Sequence, residues 1–217
     1  MPDLTAIPTV FLVDDDPAVR DGFVHLFDAA GIPVESYASA EAFLAAYDAE
    51  RPGCLVLDVN MPGMTGTELH EELCRLRSQI PIIFLTAYGD IPMTVRAIKA
   101  GAIEFLTKPV QGSVLIEHVK TALVLDEQRR AKTQHERSLR ERLASLSQRE
   151  KDILRLAVAG RANKEIAREL GISFRTVEIH RSHIRDKTGC HTLLELARLA
   201  DEAAEIEAVR HDNPGKE

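Results

Sequence analysis

Three short runs in the first half of the chain, residues 9–13, 54–58 and 82–85, are apolar at nearly every position. Such a run is short for a buried helix and lacks the alternation of a strand with one wet face. It fits a parallel strand covered on both sides. Two further runs, 34–37 and 103–106, complete a set of five, and between them lie stretches of helical periodicity starting near Pro17, Ser39, Gly66, Pro92 and Gly112. Strand and helix alternating in this way build βαβ units. An α/β domain follows, with functional groups expected at the carboxyl ends of the strands, where open sheets of this class bind ligands.

Those ends carry acid. Val13 is followed by Asp14, Asp15 and Asp16, and Leu57 by Asp58. Two carboxylates about 4 Å apart repel by about 4 kcal/mol at an effective dielectric near 20, so the cluster requires a counter-charge. A hard, oxygen-seeking Mg²⁺ (or Mn²⁺) suits it. Asp16 reads differently, because Asp16-Pro17 is a helix cap followed by proline at the first helical position. Asp14, Asp15 and Asp58 remain as a metal or phosphoryl site.

The chain has 217 residues, 45% of them apolar, enough for one good core and a smaller second one. Cys54, Cys74 and Cys190 stand at unrelated spacings and read as reduced thiols, with no disulfide or structural zinc implied. The first residues lack the basic and long apolar segments of a signal peptide or a membrane span, so a cytoplasmic protein is expected. Charge is divided unevenly. Residues 1–125 carry a net −9, residues 146–200 a net +4, and residues 201–217 a net −4. A basic module on an acidic chain points to a polyanionic partner for the carboxyl-terminal part alone.

Residues 126–145 hold ten charged side chains and neither proline nor glycine, which fits a linker helix. Leu139, Leu143 and Leu146 follow at spacings of four and three, compatible with a short dimerising seam or with a solvated helix. Beyond them the punctuation is helical. Ser147-Gln148-Arg149-Glu150 is a capping box, Gly160 ends that helix, Asn163 is placed to cap the next, and Gly171 ends it. Ser173 then caps a third helix reaching about Lys187, and Thr192-Leu193-Leu194-Glu195 opens a fourth. The division expected is 1–125, linker 126–145, helical domain 146–200, and a mobile acidic tail 201–217.

Asp14, Asp15, Asp58, Thr86 and the Lys108-Pro109 pair, each at the end of its own strand, resemble the receiver domain of two-component response regulators over residues 9–125. That resemblance implies a flavodoxin-like sheet of order 2-1-3-4-5, with Asp58 as the phosphoacceptor for a sensor histidine kinase. It implies direct Mg²⁺ ligation by Asp15 and Asp58, a water-mediated role for Asp14, and a backbone carbonyl from Asn60. Lys108 would neutralise the transferring oxygens, aided by a cis peptide at Pro109. Thr86 and Phe105 would form the switch that reads the phosphoryl group. Val95, Lys99 and Glu104 would contribute to a homodimer face formed on phosphorylation.

The carboxyl-terminal carriers are Asn163-Lys164-Glu165-Ile166-Ala167, Leu170-Gly171-Ile172-Ser173 and Arg175-Thr176-Val177-Glu178-Ile179-His180. They resemble the LuxR-type four-helix DNA-binding domain, whose third helix enters the major groove. Glu178, Ile179 and Ser182 match its base-facing positions, since glutamate can accept from cytosine and an aliphatic group can meet a thymine methyl. Lys164, Arg175, Thr176, Arg181, Arg185 and Lys187 are expected on phosphates. His180, with no partner ligand at metal spacing in the sequence, is expected to pack or cap locally.

The whole is similar to the FixJ branch of response regulators. A phosphorylation-switched transcription regulator is expected, an activator acting on promoter DNA with RNA polymerase, and not an enzyme. Phosphorylation-independent DNA binding and Mg²⁺-dependent phosphohydrolysis are the alternative readings. No GxxxxGK[ST] loop supports an ATPase.

Overall fold

The computed structural model describes residues 7–87, 104–192 and 194–202. They divide into two compact units, Met1–Arg130 and Ala131–Glu217. The first contains β1 (Thr9–Val13), α1 (Pro17–Ala29), β2 (Val34–Tyr37), α2 (Ala40–Ala46), β3 (Gly53–Asp58), α3 (Gly66–Arg75), β4 (Ile82–Thr86) and β5 (Glu104–Thr107). All four neighbouring pairs are parallel, in the order β2-β1-β3-β4-β5. The expected order is therefore the observed one, with β5 displaced by one residue from the run read in the sequence. The expected helix near Pro92 lies outside the described residues.

The unbroken apolarity of the central strands has a direct cause in packing. Successive side chains point to opposite faces. Phe11, Val13, Leu55, Leu57 and Phe84 pack with Phe43, Leu69 and Leu73 of α2 and α3. Val10, Leu12, Cys54, Val56, Ile83 and Leu85 pack with Phe27 of α1 and with Leu115 and Val119 of the next helix. That helix, α4 (Gly112–Ala144), is a single element of 33 residues, so the helix expected over 126–145 continues without a break from the one that starts at Gly112. No glycine or proline falls between 113 and 144 to interrupt it. Asp126, 3% exposed, accepts from the Gly53 N–H (2.9 Å) and from Arg130 Nε (2.7 Å). Among the described residues no helix is long and apolar enough to cross a membrane.

In the second unit, α5 (Gln148–Val158), α6 (Asn163–Leu170), α7 (Phe174–Thr188) and α8 (194–202) surround one core. The Ser147–Glu150 capping box forms, and Gly171 ends α6 in the left-handed conformation (φ 64°). Two expectations are corrected. Asn163 is the first residue of α6 rather than its cap; the cap is Ala162, whose N–H donates to Glu165 Oε2 (2.9 Å). The Asn163 side chain instead accepts from Arg181 Nη1 (2.7 Å). Leu139 and Leu146 are buried in the second core with Leu143 packed against it, so the leucines are neither a seam nor a solvated face. A helical stretch rich in charge conceals them because its other faces are wet.

Leu139→Ala should therefore lower the stability of the second unit by about 2–5 kcal/mol, the cost of a large-to-small change in a closed core. Denaturant unfolding measures it. Retained stability together with a changed sedimentation mass would restore the seam reading.

Candidate functional site

The acidic site is assembled by strand ends. β1 delivers Asp14, β3 Asp58 and β4 Thr86; all three side chains are buried, whereas Asp15 is exposed. Carboxylate oxygens of Asp14, Asp15 and Asp58 lie within 4.8 Å of one another, a spacing and donor set that fit a hard divalent cation. Lys108 Nζ bridges the group, 2.7 Å from Asp14 Oδ2 and 3.0 Å from Asp58 Oδ1. Its backbone is anchored by donation from Lys108 N to the Thr86 carbonyl (2.7 Å), and the Lys108-Pro109 peptide is cis, as the resemblance implied. Asp16 is the cap of α1, its carboxylate accepting from Ala18 N (2.8 Å), while its backbone N–H donates to Asp14 Oδ1 (3.0 Å).

The two partners of the ion pair are shifted in ways that express burial against pairing. Burial pushes the Asp58 carboxyl up, and the Lys108 contact opposes this without cancelling it. Burial also works against the Lys108 charge, yet its hydrogen bonds to Asp14 and Asp58 prevail and hold its pKa above the ordinary value.

Two positioning groups went unnoticed in the sequence. Arg20 Nη1 donates to the carbonyls of Asp14 (2.8 Å) and Asp15 (2.9 Å), fixing the acidic turn from α1. Gly66 opens α3 against the loop that follows Asp58: its N–H donates to Val59 O (3.0 Å), and a Cβ there would fall 2.2 Å from Asp58 O. The helical start at Gly66 was legible, but the close approach was not. Phe105 stacks on Phe84 with centroids 4.7 Å apart. Glu104 sits at the start of β5 with His118 Nδ1 3.8 Å from its carboxylate. Asn60 follows two residues after Asp58 and is exposed. Val95 and Lys99 lie outside the described residues.

In the second unit Val177 and Ile184 of α7 face the core, which turns the opposite side outward. Glu178, Ile179, Arg175 and Lys164 are exposed, while Ser182 and Arg185 are half-buried. Thr176 is part of the α7 cap, its hydroxyl 2.8 Å from that of Ser173. Arg181 is held by Asn163, and Lys187 Nζ donates to Glu150 Oε2 (2.7 Å). Each of these two cations thus has a partner within the fold, Asn163 for Arg181 and Glu150 for Lys187. Exposed Phe174, at the first position of α7, was not singled out in the sequence.

Glu150 is the pivot of this unit. Burial would raise its pKa, but Lys187 and the Ser147 N–H and hydroxyl bring it from 4.5 down to about 2.

Residues 10–120 match the family described as "Response regulator receiver domain", and residues 144–200 that described as "Bacterial regulatory proteins, luxR family". The chain is 43% identical to the transcriptional regulatory protein FixJ of Rhizobium meliloti (strain 1021) over 195 residues, covering 88% of this chain and 94% of that protein. It is 40% identical to Nodulation protein W of Bradyrhizobium diazoefficiens over 192 residues, covering 88% and 85%. Among solved structures, the response regulator StyR is similar with a TM-score of 0.88 and 46% identity, covering 91% of this chain and all of that one.

Two outcomes follow from the site geometry. Gly66→Ala should cost about 1–3 kcal/mol of overpacking and shift the Asp58 loop, read as reduced stability together with weaker Mn²⁺ binding by electron paramagnetic resonance. The Glu150 carboxylate contributes stability that is full above about pH 4.5 and is lost as pH falls toward about 2. The unfolding midpoints of wild type and Glu150→Gln should consequently converge over that window. A difference independent of pH would show that the ionised carboxylate is not what holds the helices.

Proposed function

Because this chain belongs to the response regulators that join a receiver domain to a LuxR-type DNA-binding domain, we propose that Asp58 accepts a phosphoryl group from the phosphohistidine of a sensor histidine kinase and thereby controls promoter binding. The observation that carries this reading is the Lys108 bridge between Asp14 and Asp58 at the ends of three strands. An Asp58 oxygen attacks phosphorus, a P–O bond forms as the P–N bond to histidine breaks, and the histidine keeps the electron pair. Lys108 is already within 3.0 Å of Asp58 Oδ1, positioned to share its charge with the incoming oxygens. Asp14, Asp15 and Asp58, with the Asn60 carbonyl, would hold Mg²⁺ or Mn²⁺. The cation supplies positive charge to the carboxylates and phosphoryl oxygens when bound.

The phosphoryl group adds a charge of about −1.5 to −2 and new acceptors beside Thr86. Thr86 lies at the end of β4, which pairs with β5, and Phe84 two residues earlier stacks on Phe105. A shift at Thr86 can reach β5 through this pair, and Glu104, next to Phe105 on that strand, would take part in a homodimer together with Val95 and Lys99. We assign residues 1–125 to the receiver, 126–145 to the linker and 146–200 to the DNA-binding domain. In the last, Glu178, Ile179 and Ser182 read bases, and Lys164, Arg175, Thr176, Arg181, Arg185 and Lys187 set register on phosphates. The regulator acts as an activator working with RNA polymerase.

Acetyl phosphate with Mg²⁺ should label the wild type in a base-labile acyl linkage, and Asp58→Ala should abolish the label. Persistence of labelling at the wild-type rate in Asp58→Ala would overturn the acceptor assignment. In the output domain, Glu178→Ala should alter preference at one base pair per half-site by about 1–3 kcal/mol. Arg175→Ala should weaken all sequences alike and reduce the salt slope by about 1. Selection from randomised duplexes separates the two, and identical preferences for wild type and Glu178→Ala would remove Glu178 from base reading.

A further inference from the structure

Glu150 presents two oxygens with different surroundings. Oε2 accepts from Ser147 N (2.7 Å), Ser147 Oγ (2.9 Å) and Lys187 Nζ (2.7 Å). Oε1 lies 3.9 Å from His183 Nδ1, too far for a hydrogen bond. His180 stands three residues earlier on α7, and its Nδ1 is shielded from solvent without a hydrogen-bond partner. A buried polar nitrogen left in this way is uncommon and asks for an explanation. One ligand atom from each of Glu150, His180 and His183 lies within 4.8 Å of the other two.

We propose that Glu150, His180 and His183 form a second metal site, binding a zinc-class divalent transition ion and leaving a fourth position to water. The i, i+3 spacing puts both histidines on one side of α7, and the capping box holds the Glu150 carboxylate across from them. Zinc bonds of about 2.0–2.2 Å separate tetrahedral ligands by about 3.4 Å, so the three atoms, now within 4.8 Å of one another, need to close by at most about 1.4 Å. Two imidazoles select ions such as Zn²⁺ or Co²⁺ over Mg²⁺, which favours the oxygen-only cluster of the receiver. Lys187 remains on the other carboxylate oxygen. The ion would cross-link the start of α5 to the middle of α7, the helix that carries Glu178 and Ile179, and would leave a net positive charge there. His180 then gains a role that its immediate sequence neighbourhood did not suggest, since the carboxylate ligand arrives from 30 residues away.

The test titrates the full chain with Co²⁺ in saturating Mg²⁺, following the absorption bands of four-coordinate cobalt, with Zn²⁺ competition giving the zinc affinity. One equivalent should bind to the wild type, to Asp58→Asn and to Cys74→Ser alike. His183→Gln should weaken that equivalent at least about tenfold, as should His180→Gln. His183 has an exposed side chain, so its variant should keep the metal-free unfolding midpoint of the wild type and decides the matter even if His180→Gln fails to fold. Binding unchanged in His183→Gln, or an equivalent that disappears with Cys74, would overturn the site.

Discussion

The contact of Lys108 with Asp14 and Asp58 is the constraint around which the first unit is organised. Carboxylates at the ends of neighbouring buried strands are mutually repulsive, and moving them out of water raises the cost further. The ammonium offsets both costs, but only because β5 brings the lysine to the same edge of the sheet as β1 and β3. Strand order is thus inseparable from the site. A sheet with β5 elsewhere would leave a buried acidic cluster without a cation from the chain. The Thr86 carbonyl, by accepting from Lys108 N, ties the lysine backbone to the strand that also carries the hydroxyl expected to sense phosphorylation.

Around that contact the supporting groups are backbone-directed. Arg20 holds two carbonyls of the acidic turn, and Gly66 lets α3 begin against the Asp58 carbonyl, where a side chain has no room. Neither residue belongs to the acidic set, yet together they set where the Asp14, Asp15 and Asp58 backbone stands. At the opposite end of α4's first stretch, Asp126 and Arg130 bind the Gly53 N–H and the carbonyls of Ala49, Glu50 and Arg51. A buried carboxylate so fully satisfied fixes this stretch of the helix on the sheet.

The second unit repeats the logic with a different residue. Glu150 caps its own helix and pairs with Lys187 from α7, so one carboxylate serves local helix formation and tertiary packing together. Its other oxygen lies 3.9 Å from His183 Nδ1, with a ring nitrogen of His180 close by, and that grouping is what the proposed metal site rests on.

Much of this was legible in the chain. The unbroken apolar runs fixed parallel, doubly covered strands, the acids at their ends fixed a cation-requiring edge, and the glycines and capping residues fixed where the output helices stop and start. These signals are local: a two-residue period, a cap and a left-handed glycine each act within a few positions. What depended on distant residues was not legible. Leu139 and Leu146 became core because helices further along the chain cover them, and Asn163 gave up its cap because Arg181, eighteen residues on, takes its oxygen. Lys187 and His180 took their surroundings from Glu150, and Gly66 its necessity from the Asp58 carbonyl. Sequence by itself determined the elements and the kinds of group at their ends. Only the tertiary structure decided which of those groups meet, because a contact between distant residues depends on three-dimensional packing that no local spacing encodes.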